Sequence, residues 1–405
     1  MLDDVRSMLN REIANIDTSE WDSMPYPDRH DPILSDARWS SFLALLKQDW
    51  FSRGWVIQEA ALARLALIIW GSTEIPWDNV IWTGSWIHNR AGLLVSPDLS
   101  AAIPRFLMLH VDAFSERRID SWQVFYLKAD FRMAGLLDYV YCGRALQFTD
   151  SRDKIYAFLD LSLLPEQNVG MVPDYQNSTL DVFRDFALRY MRTTNSLRLL
   201  NYVLHSARTL QSSLPTWVPD WDSGTPIAFE MSFGREKRRA DLTSRNGKTY
   251  APEVIEGKVL KVRGVVVDTV RFTSDVLDQC VVTPKSLFEL YQAVESSALA
   301  NPYGYHYTMA FVKALCRCRY EGDWETWDLH RGRLVDVLKN HTNPTEGFEC
   351  SGDNERRKGL DSLVAFIAIL IHGMKFMITE RGYMGMAPAV TEEKDLCAIL
   401  FGNQH

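Results

Sequence analysis

The chain has 405 residues, 46% of them hydrophobic, so it is longer than a single core usually grows and apolar enough to form two or three lobes. A formal net charge of -8 at pH 7 excludes a protein that holds nucleic acid through an overall positive field. Six scattered cysteines, an N-terminal segment without an apolar leader, and a longest apolar run (363–371) too short to cross a bilayer predict a cytoplasmic protein with free thiols and no membrane partner.

The first 145 residues are predicted to be mainly helical. Apolar residues on one face predict a helix within 1–20, and three prolines interrupt the pattern in 22–32. Helical periodicity returns in 36–66, and the apolar run 65–71 is typical of a buried strand or of the end of a buried helix. Further helices follow, so this segment is assigned to a first domain.

The next segment, 146–225, is predicted to hold two helices and a rigid connector. Asp150 can cap the first helix, with Asp153 reaching back to the unpaired amides, and a Ser-Thr pair can cap the second. The connector "LPTWVPDWDS" (214–223) is framed by prolines. Its tryptophans are expected to pin it to the body of the protein.

The remaining segment, 226–405, is predicted to form a small β module. Alternating and β-branched residues indicate strands in 258–272, 383–388 and 395–402. A helical insertion is expected between these strands, at about 284–378. The predicted fold class is therefore α+β, with a helical N-terminal half followed by a C-terminal β module that carries a helical insertion.

The sequence contains no motif for a bound phosphate or metal ion. Glycine-rich phosphate loops and the spaced His, Cys and Asp patterns of metal sites are absent, so we predict neither a cofactor nor a metal. His372 is the histidine selected as a candidate catalytic residue, because it ends the apolar run and would be affected most by burial. A hydrogen-bonded structural histidine is the alternative interpretation.

Aromatic residues make up 12% of the chain, including 13 tryptophans. Large rings either fill a core or line the wall of an apolar pocket. The candidate pocket residues are therefore Trp217, Asp220 and Trp221 in the connector and Tyr383 at a predicted strand. Core packing of the rings, and a loop held by hydrogen bonds around Asp220, are the alternatives.

The stretch "WFSRGWVIQEAALA" (50–63) brings an indole, a guanidinium, an amide and a carboxylate close together. On a helix, Trp55 and Glu59 share one side, Arg53 lies near the N-terminus and Gln58 is adjacent to Glu59. A carboxylate beside indole rings is partly desolvated and can act as a base or bind a ribose hydroxyl. Glu59 and Gln58 are therefore candidate catalytic residues, and Trp55 and Arg53 candidate pocket residues. A purely architectural helix is the alternative.

Five segments, in this order, resemble landmarks of the fungal heterokaryon-incompatibility (HET) domain family. Residues 50–59 are similar to its "W-F-x-R-x-W-x-x-Q-E" motif. Residues 150–161 are similar to its "D-P-R-D-K" segment, with Ser151 in place of Pro and Asp160 in place of Gly. The other three landmarks are "PDYQNSTLDVFRDFA" (173–187), "LPTWVPDW" (214–221) and "ITERGYMGMAPAV" (378–390). The resemblance covers roughly residues 38–405, and it implies that the first domain is the remnant of an α/β fold.

Comparison with the HET family pattern also shows which of its segments this sequence lacks. HET domains ordinarily begin with an "L-S-Y-x-W-G" strand and continue beyond the position of Gly402, so the chain is expected to be shortened at both ends. HET domains resemble TIR domains, and Glu59 corresponds to the glutamate of the TIR enzymes that cleave NAD. Because the strand and loop that would complete a nucleotide site are not found before Trp50, NAD cleavage is not expected.

Two functions are predicted from this combination. In the first, the shortened scaffold keeps an apolar hollow that binds an apolar small molecule. It could fold that molecule for a cofactor-independent cyclisation, such as an intramolecular Diels-Alder reaction of a terpenoid or polyene in specialised metabolism. In the second, the chain is an interaction protein or decoy, related to incompatibility and cell death, that associates with itself or with another HET protein without catalysis. An exposed apolar surface near residues 1–60 would mark this second function.

Overall fold

The structure is a computed structural model that describes the following residues: 1–13, 30–87, 96, 99, 110, 135–161, 168–223, 252–278, 282–297, 301–304, 306–316, 334, 335, 338, 363, 364, 367, 368 and 370–401. The chain forms two compact units. The first unit contains Met1–Thr194 and residues 221–223, and the second contains Asn195–Asp220 and the described residues from 252 onward. The three-domain division at 145 and 225 stays a prediction, as does the cytoplasmic location. None of the described helices is long and apolar enough to cross a membrane.

The first unit is mainly helical, as predicted, and contains one β-hairpin among its described residues. Its elements are α1 (Leu2–Ile13), α2 (Trp39–Leu46), α3 (Trp55–Leu62), β1 (Leu67–Trp70), β2 (Thr73–Pro76), α4 (Trp77–Trp86), α5 (Leu136–Gly143), α6 (Asp153–Tyr156) and α7 (Thr179–Thr194). Short 3-10 turns cover Pro32–Ser35 and Asp49–Ser52. The helix predicted within 1–20 is confirmed by α1, where Val5 is fully buried. Two aspartates in its first turn stabilise the helix, because their negative charge lies at the positive end of the helix dipole.

Tryptophans dominate the core around α2 and α4. Trp39 stacks on Trp86 with ring centroids 6.3 Å apart, and Trp77 stacks on Phe51 at 6.1 Å. The imidazole of His110 meets the Trp77 ring edge to face at 5.1 Å and is almost fully buried. This burial lowers the pKa of His110 to about 3, because the charged imidazolium loses its hydration.

The hairpin β1–β2 corrects the expectation that residues 65–71 are buried. The segment is a strand, but Leu65 and Ile69 are each 74% exposed. Side chains alternate across a strand, so Ile68 packs against the core of the unit while its neighbours on β1 point the other way. Gly71 makes the turn to β2 with a φ of 62°, a value that favours glycine.

The second unit contains the predicted β module. Its elements are a 3-10 turn (Arg198–Tyr202), α8 (Ala207–Leu210), β3 (Glu253–Ile255), β4 (Val259–Lys261), β5 (Gly264–Thr273), α9 (Pro284–Ser297), α10 (Tyr307–Leu315), β6 (Met374–Thr379), β7 (Met384–Pro388) and β8 (Leu396–Leu400). Strands β3 and β4 form a separate hairpin. The other four form an antiparallel sheet in the order β7-β6-β5-β8, with β5 bulged between Val266 and Asp268 and again between Val270 and Phe272.

Helices cover one side of this sheet. Phe376 of β6 is fully buried, and its ring lies 5.1 Å from that of Phe311 in α10, which in turn lies 5.3 Å from Tyr291 in α9. The predicted strands and the α+β fold class are confirmed. The predicted helical insertion ends too late, because residues 374–378 belong to β6 and pair with β5 and β7. Much of that insertion lies outside the described residues.

Candidate functional site

The 3-10 turn before α3 is fixed to a short segment after α5. The Gly54 amide donates to the Gln147 carbonyl at 3.1 Å, and the Gln147 amide donates to the Ser52 carbonyl at 2.7 Å. The ring of Phe148 packs so closely over Gly54 that a Cβ at this position would overlap it. Only glycine therefore lets the chain enter α3 against this ring.

Asp153 lies at the centre of a polar network that joins three of the landmark segments. Its carboxylate, nearly buried at the start of α6, accepts a hydrogen bond from the Trp55 indole at 3.0 Å. Its other oxygen accepts the Tyr175 hydroxyl at 2.6 Å. Charge-assisted hydrogen bonds of this kind are stronger than neutral ones, so one carboxylate holds α3, α6 and the 173–177 segment together.

An ion pair supports the same segment from the outside. Arg152 donates to both carboxylate oxygens of Asp150, at 2.9 and 2.6 Å, and also to the carbonyls of Tyr175 and Asn177 at 2.7 and 2.8 Å. The hydrogen bonds from Arg152 hold the pKa of Asp150 below its usual range. Asp150 also accepts the Arg152 amide at 3.0 Å, so its predicted bond to a free amide at the start of the helix is observed, whereas the predicted role of Asp153 in reaching back is not. Asp153 binds Trp55 and Tyr175 instead.

Tyr175 keeps its proton at neutral pH. Partial burial of the hydroxyl, reinforced by its hydrogen bond to Asp153, raises the pKa of Tyr175 to about 12 even though nearly half of the side chain is exposed. The phenol therefore acts as a donor to the carboxylate over the whole physiological range. Each Asp153 oxygen accepts one of these hydrogen bonds, so the network fixes the position of the carboxylate and of the segments that bond to it.

Two buried cations connect α6 to residues 221–223 of the same unit. Lys154 donates to the Arg144 carbonyl at 3.3 Å and lies 3.5 Å from the Asp222 carboxylate. Arg144 donates to the Ser223 carbonyl at 3.0 Å, and its guanidinium lies 5.8 Å from the centroid of the Trp221 ring. The predicted role of Trp221 in pinning the connector is thus observed in the first unit.

The candidate catalytic residues of α3 lie at its surface. Glu59 is exposed to solvent, and Arg53 is exposed at the turn that precedes the helix. Gln58 is half-buried and donates to Asp160 at 3.3 Å, whereas Trp55 is committed to Asp153. The structure therefore places Trp55, Gln58 and Glu59 on α3 and Arg53 in the turn that precedes it.

The remaining predicted site residues are divided between the two units. Trp221 is fully buried in the first unit and lies against Phe186, with ring centroids 6.0 Å apart. The other predicted residues lie in the second unit. Trp217 donates to the Lys258 carbonyl at 2.9 Å, and Asp220 is half-buried. Tyr383 is 47% exposed and forms a T-shaped contact with Tyr303, and His372 is half-buried with its Nδ1 3.7 Å from Asp278. Within the described ranges, no three His, Cys, Asp or Glu side chains gather in a way that could hold a metal ion.

Sequence reasoning missed the residues that organise the network. The capping pattern assigns Asp153 to a helix end and gives Tyr175 no role, although both lie in segments that resemble family landmarks. The signal that points to them is that three successive landmarks each carry a polar or aromatic side chain able to bond to the others. A contact between landmarks is a more specific expectation than a role for any one of them.

The fold and network define an α+β protein whose polar network ties together segments distant in sequence. The chain is similar to heterokaryon incompatibility protein 6, OR allele, of Neurospora crassa, with 26% identity over 258 residues covering 57% of this chain and 35% of that relative. It therefore spans about a third of that curated relative's length. No family model matches the chain, and no solved structure matches it significantly. These comparisons show a distant HET-like relation and nothing finer.

Proposed function

We propose that the chain is an interaction protein of the heterokaryon-incompatibility type, which recognises another polypeptide without catalysing a reaction. The observation that carries this proposal is the exposed apolar strand at the edge of the first unit's hairpin, where Leu65, Leu67 and Ile69 point away from the core. We call these residues the β1 edge. Contiguous apolar surface of this kind marks a site where another protein binds, since water contact with it is unfavourable.

The distant relation to the Neurospora crassa protein also supports the proposed interaction function. That relative is named for heterokaryon incompatibility, and the name describes the relative alone. In this chain, three of the segments that resemble landmarks of the HET family are joined by the network around Asp153. Such a network preserves the framework of the first unit, which is what a binding surface on that unit requires.

The positions of Glu59 and Asp153 support a binding role without catalysis. Glu59 is exposed on α3, whereas a carboxylate that cleaves a glycosidic bond works in a water-excluded site that fixes its substrate. Asp153 is buried but is occupied by the Trp55 and Tyr175 donors. Incubating the purified protein with NAD tests this interpretation: we expect no nicotinamide release, and release that Glu59→Ala abolishes would overturn it.

Expression in Neurospora crassa tests the proposal directly. The chain is introduced into one of two strains that normally fuse, and growth of the resulting heterokaryon is scored together with the protein level. We expect reduced growth with the wild-type chain and restored growth with Ile69→Lys, because a lysine in the middle of an edge strand opposes strand pairing and buries poorly.

Ile255→Lys is the matched control for this experiment. Ile255 is also an exposed isoleucine of a two-stranded hairpin, but it belongs to the second unit. The control variant should reduce heterokaryon growth as the wild type does. Normal growth with the wild-type chain in every strain combination, or equal effects of wild type and Ile69→Lys, would remove the interaction proposal.

A second candidate function is the binding, and cyclisation, of an apolar small molecule such as a terpenoid or polyene. In its favour, Tyr383 is 47% exposed and meets Tyr303 edge to face at 6.1 Å, while the Tyr303 hydroxyl accepts the Met384 amide at 2.7 Å, which orders an aromatic surface in the second unit. Equilibrium binding and product analysis with such precursors test it. Binding that Tyr383→Ala weakens supports it, whereas no binding and no rate gain discard it.

A further inference from the structure

The pairing of β1 with β2 leaves one edge of β1 open. Directly opposed residues in an antiparallel ladder alternate between hydrogen-bonded and non-bonded pairs. The Trp77 amide donates to the Ala66 carbonyl at 3.0 Å, which makes 66/77 a bonded pair, so the backbone groups of Leu67 and Ile69 point away from β2. In the part of the chain that the structure describes, no third strand pairs with this edge.

The side chains on this edge offer enough apolar surface for a specific contact. Leu65 and Ile69 are each 74% exposed, and Leu67 is 48% exposed. The three residues on the outer face present on the order of 350 Å² of apolar surface, within the range of the largest patches on monomers and a little under half of the roughly 800 Å² that each partner contributes to a standard interface. Flanking polar residues can supply the remainder.

We propose that β1 pairs antiparallel with β1 of a second copy of this chain, forming a continuous four-stranded sheet across a twofold axis. This inference rests on the proposed function, since it names the partner of the β1 edge. With the axis at Ile68, Leu67 of each copy faces Ile69 of the other. Each such pair exchanges two backbone hydrogen bonds through the outward-pointing groups, and the apolar side chains cover each other.

Charge favours this arrangement of two identical edges. Arg64 lies before the start of β1, and Glu74 lies on β2 opposite Ile69, towards the turn. Both side chains are exposed. Antiparallel pairing places the start of one β1 beside the turn end of the other, so the two Arg64 side chains lie at opposite ends of the joined sheet and do not repel each other. A parallel alignment would instead bring like charges to the same end.

Sedimentation of the full chain over a range of concentrations tests the proposal. The wild-type chain should change from a monomer to a species of twice the mass as its concentration rises. Ile69→Lys should raise the dissociation constant at least about 100-fold, because the substitution occurs twice in a twofold interface. Ile255→Lys should dimerise like the wild type, and circular dichroism should show that each variant keeps its fold.

A charge pair tests the register itself. Leu67→Glu alone should also stay monomeric, whereas an equal mixture of Leu67→Glu and Ile69→Lys chains should form a heterodimer, because residues 67 and 69 face each other across the axis. Wild-type chains that stay monomeric, an Ile69→Lys variant that dimerises normally, or a mixture that does not associate would each overturn the inference. If the heterokaryon effect then still depends on Ile69, the proposed function stands with a different protein as partner.

Discussion

Removing the carboxylate of Asp153 should destabilise the first unit strongly. Asp153→Ala leaves the Trp55 indole and the Tyr175 hydroxyl without their acceptor. A hydrogen bond to a charged group contributes about 1.5–3 kcal/mol, and the partly exposed Tyr175 belongs at the lower end because water can replace its acceptor. Relief of the nearly buried charge offsets part of the loss. We therefore expect the free energy of unfolding to fall by about 2–3 kcal/mol.

Urea unfolding followed by tryptophan fluorescence measures this change, and hydrogen exchange of the 150–178 peptides assigns it to the first unit. Asp185→Ala is the matched control, because Asp185 is a partly exposed carboxylate of the same unit that pairs with Arg189 one helical turn away. Such a pair contributes about 0.3–0.5 kcal/mol. If Asp153→Ala loses no more stability than Asp185→Ala, the network does not hold the landmark segments together.

Three further measurements test other parts of the structure. Gly54→Ala should lower the free energy of unfolding by about 1–3 kcal/mol by displacing the Phe148 ring, whereas Gly304→Ala, with nothing within 4 Å of the new methyl group, should change it by less than about 0.5 kcal/mol in urea titrations. His110 has a pKa of about 3 in the folded chain against an ordinary value of 6.5, so protons bind the unfolded chain first. Stability should therefore fall as the pH drops from 6.5 towards 3, by up to about 1.4 kcal/mol per pH unit, and His110→Phe should remove that part of the slope. The pKa of Tyr175 rises from 10.0 to about 12, so the unfolded chain loses this proton first and stability should fall as the pH rises between these values. Tyr175→Phe should remove this tyrosine's part of the slope and leave the part from Tyr307, whose pKa is also raised to about 12, with tyrosinate absorbance as the readout.

The periodicity of the sequence predicted where helices and strands form better than it predicted which of their side chains are buried. The helix around Val5 and the strands at 384–388 and 396–400 follow from local spacing, which depends on the chain alone. The exposure of Ile69 could not be predicted in this way. A short continuous apolar run fits a buried element equally well, and only the placement of β2 and the core decides which face is covered.

The candidate site was predicted only as far as its residues lie close in sequence. Trp55, Gln58 and Glu59 share α3 as expected, but the carboxylate that binds the Trp55 indole is Asp153, almost a hundred positions further along. Local capping propensity gave Asp153 a different role, and the long-range bond overrides it because a buried indole N–H needs an acceptor. The ligand role of the connector tryptophans stays a prediction, since each indole contributes to packing within its own unit.

The path of the chain at Trp221 has a consequence for biosynthesis. The chain leaves the first unit after Thr194 and returns to it at residues 221–223, where Trp221 packs on Phe186 and Ser223 accepts from Arg144. A nascent chain can therefore complete this unit only after the ribosome has passed residue 223, while part of the second unit is already made. A fragment that stops at residue 194 lacks Trp221 and would expose the Phe186 ring. We therefore expect neither truncation at 194 nor limited proteolysis after it to yield a stable N-terminal fragment.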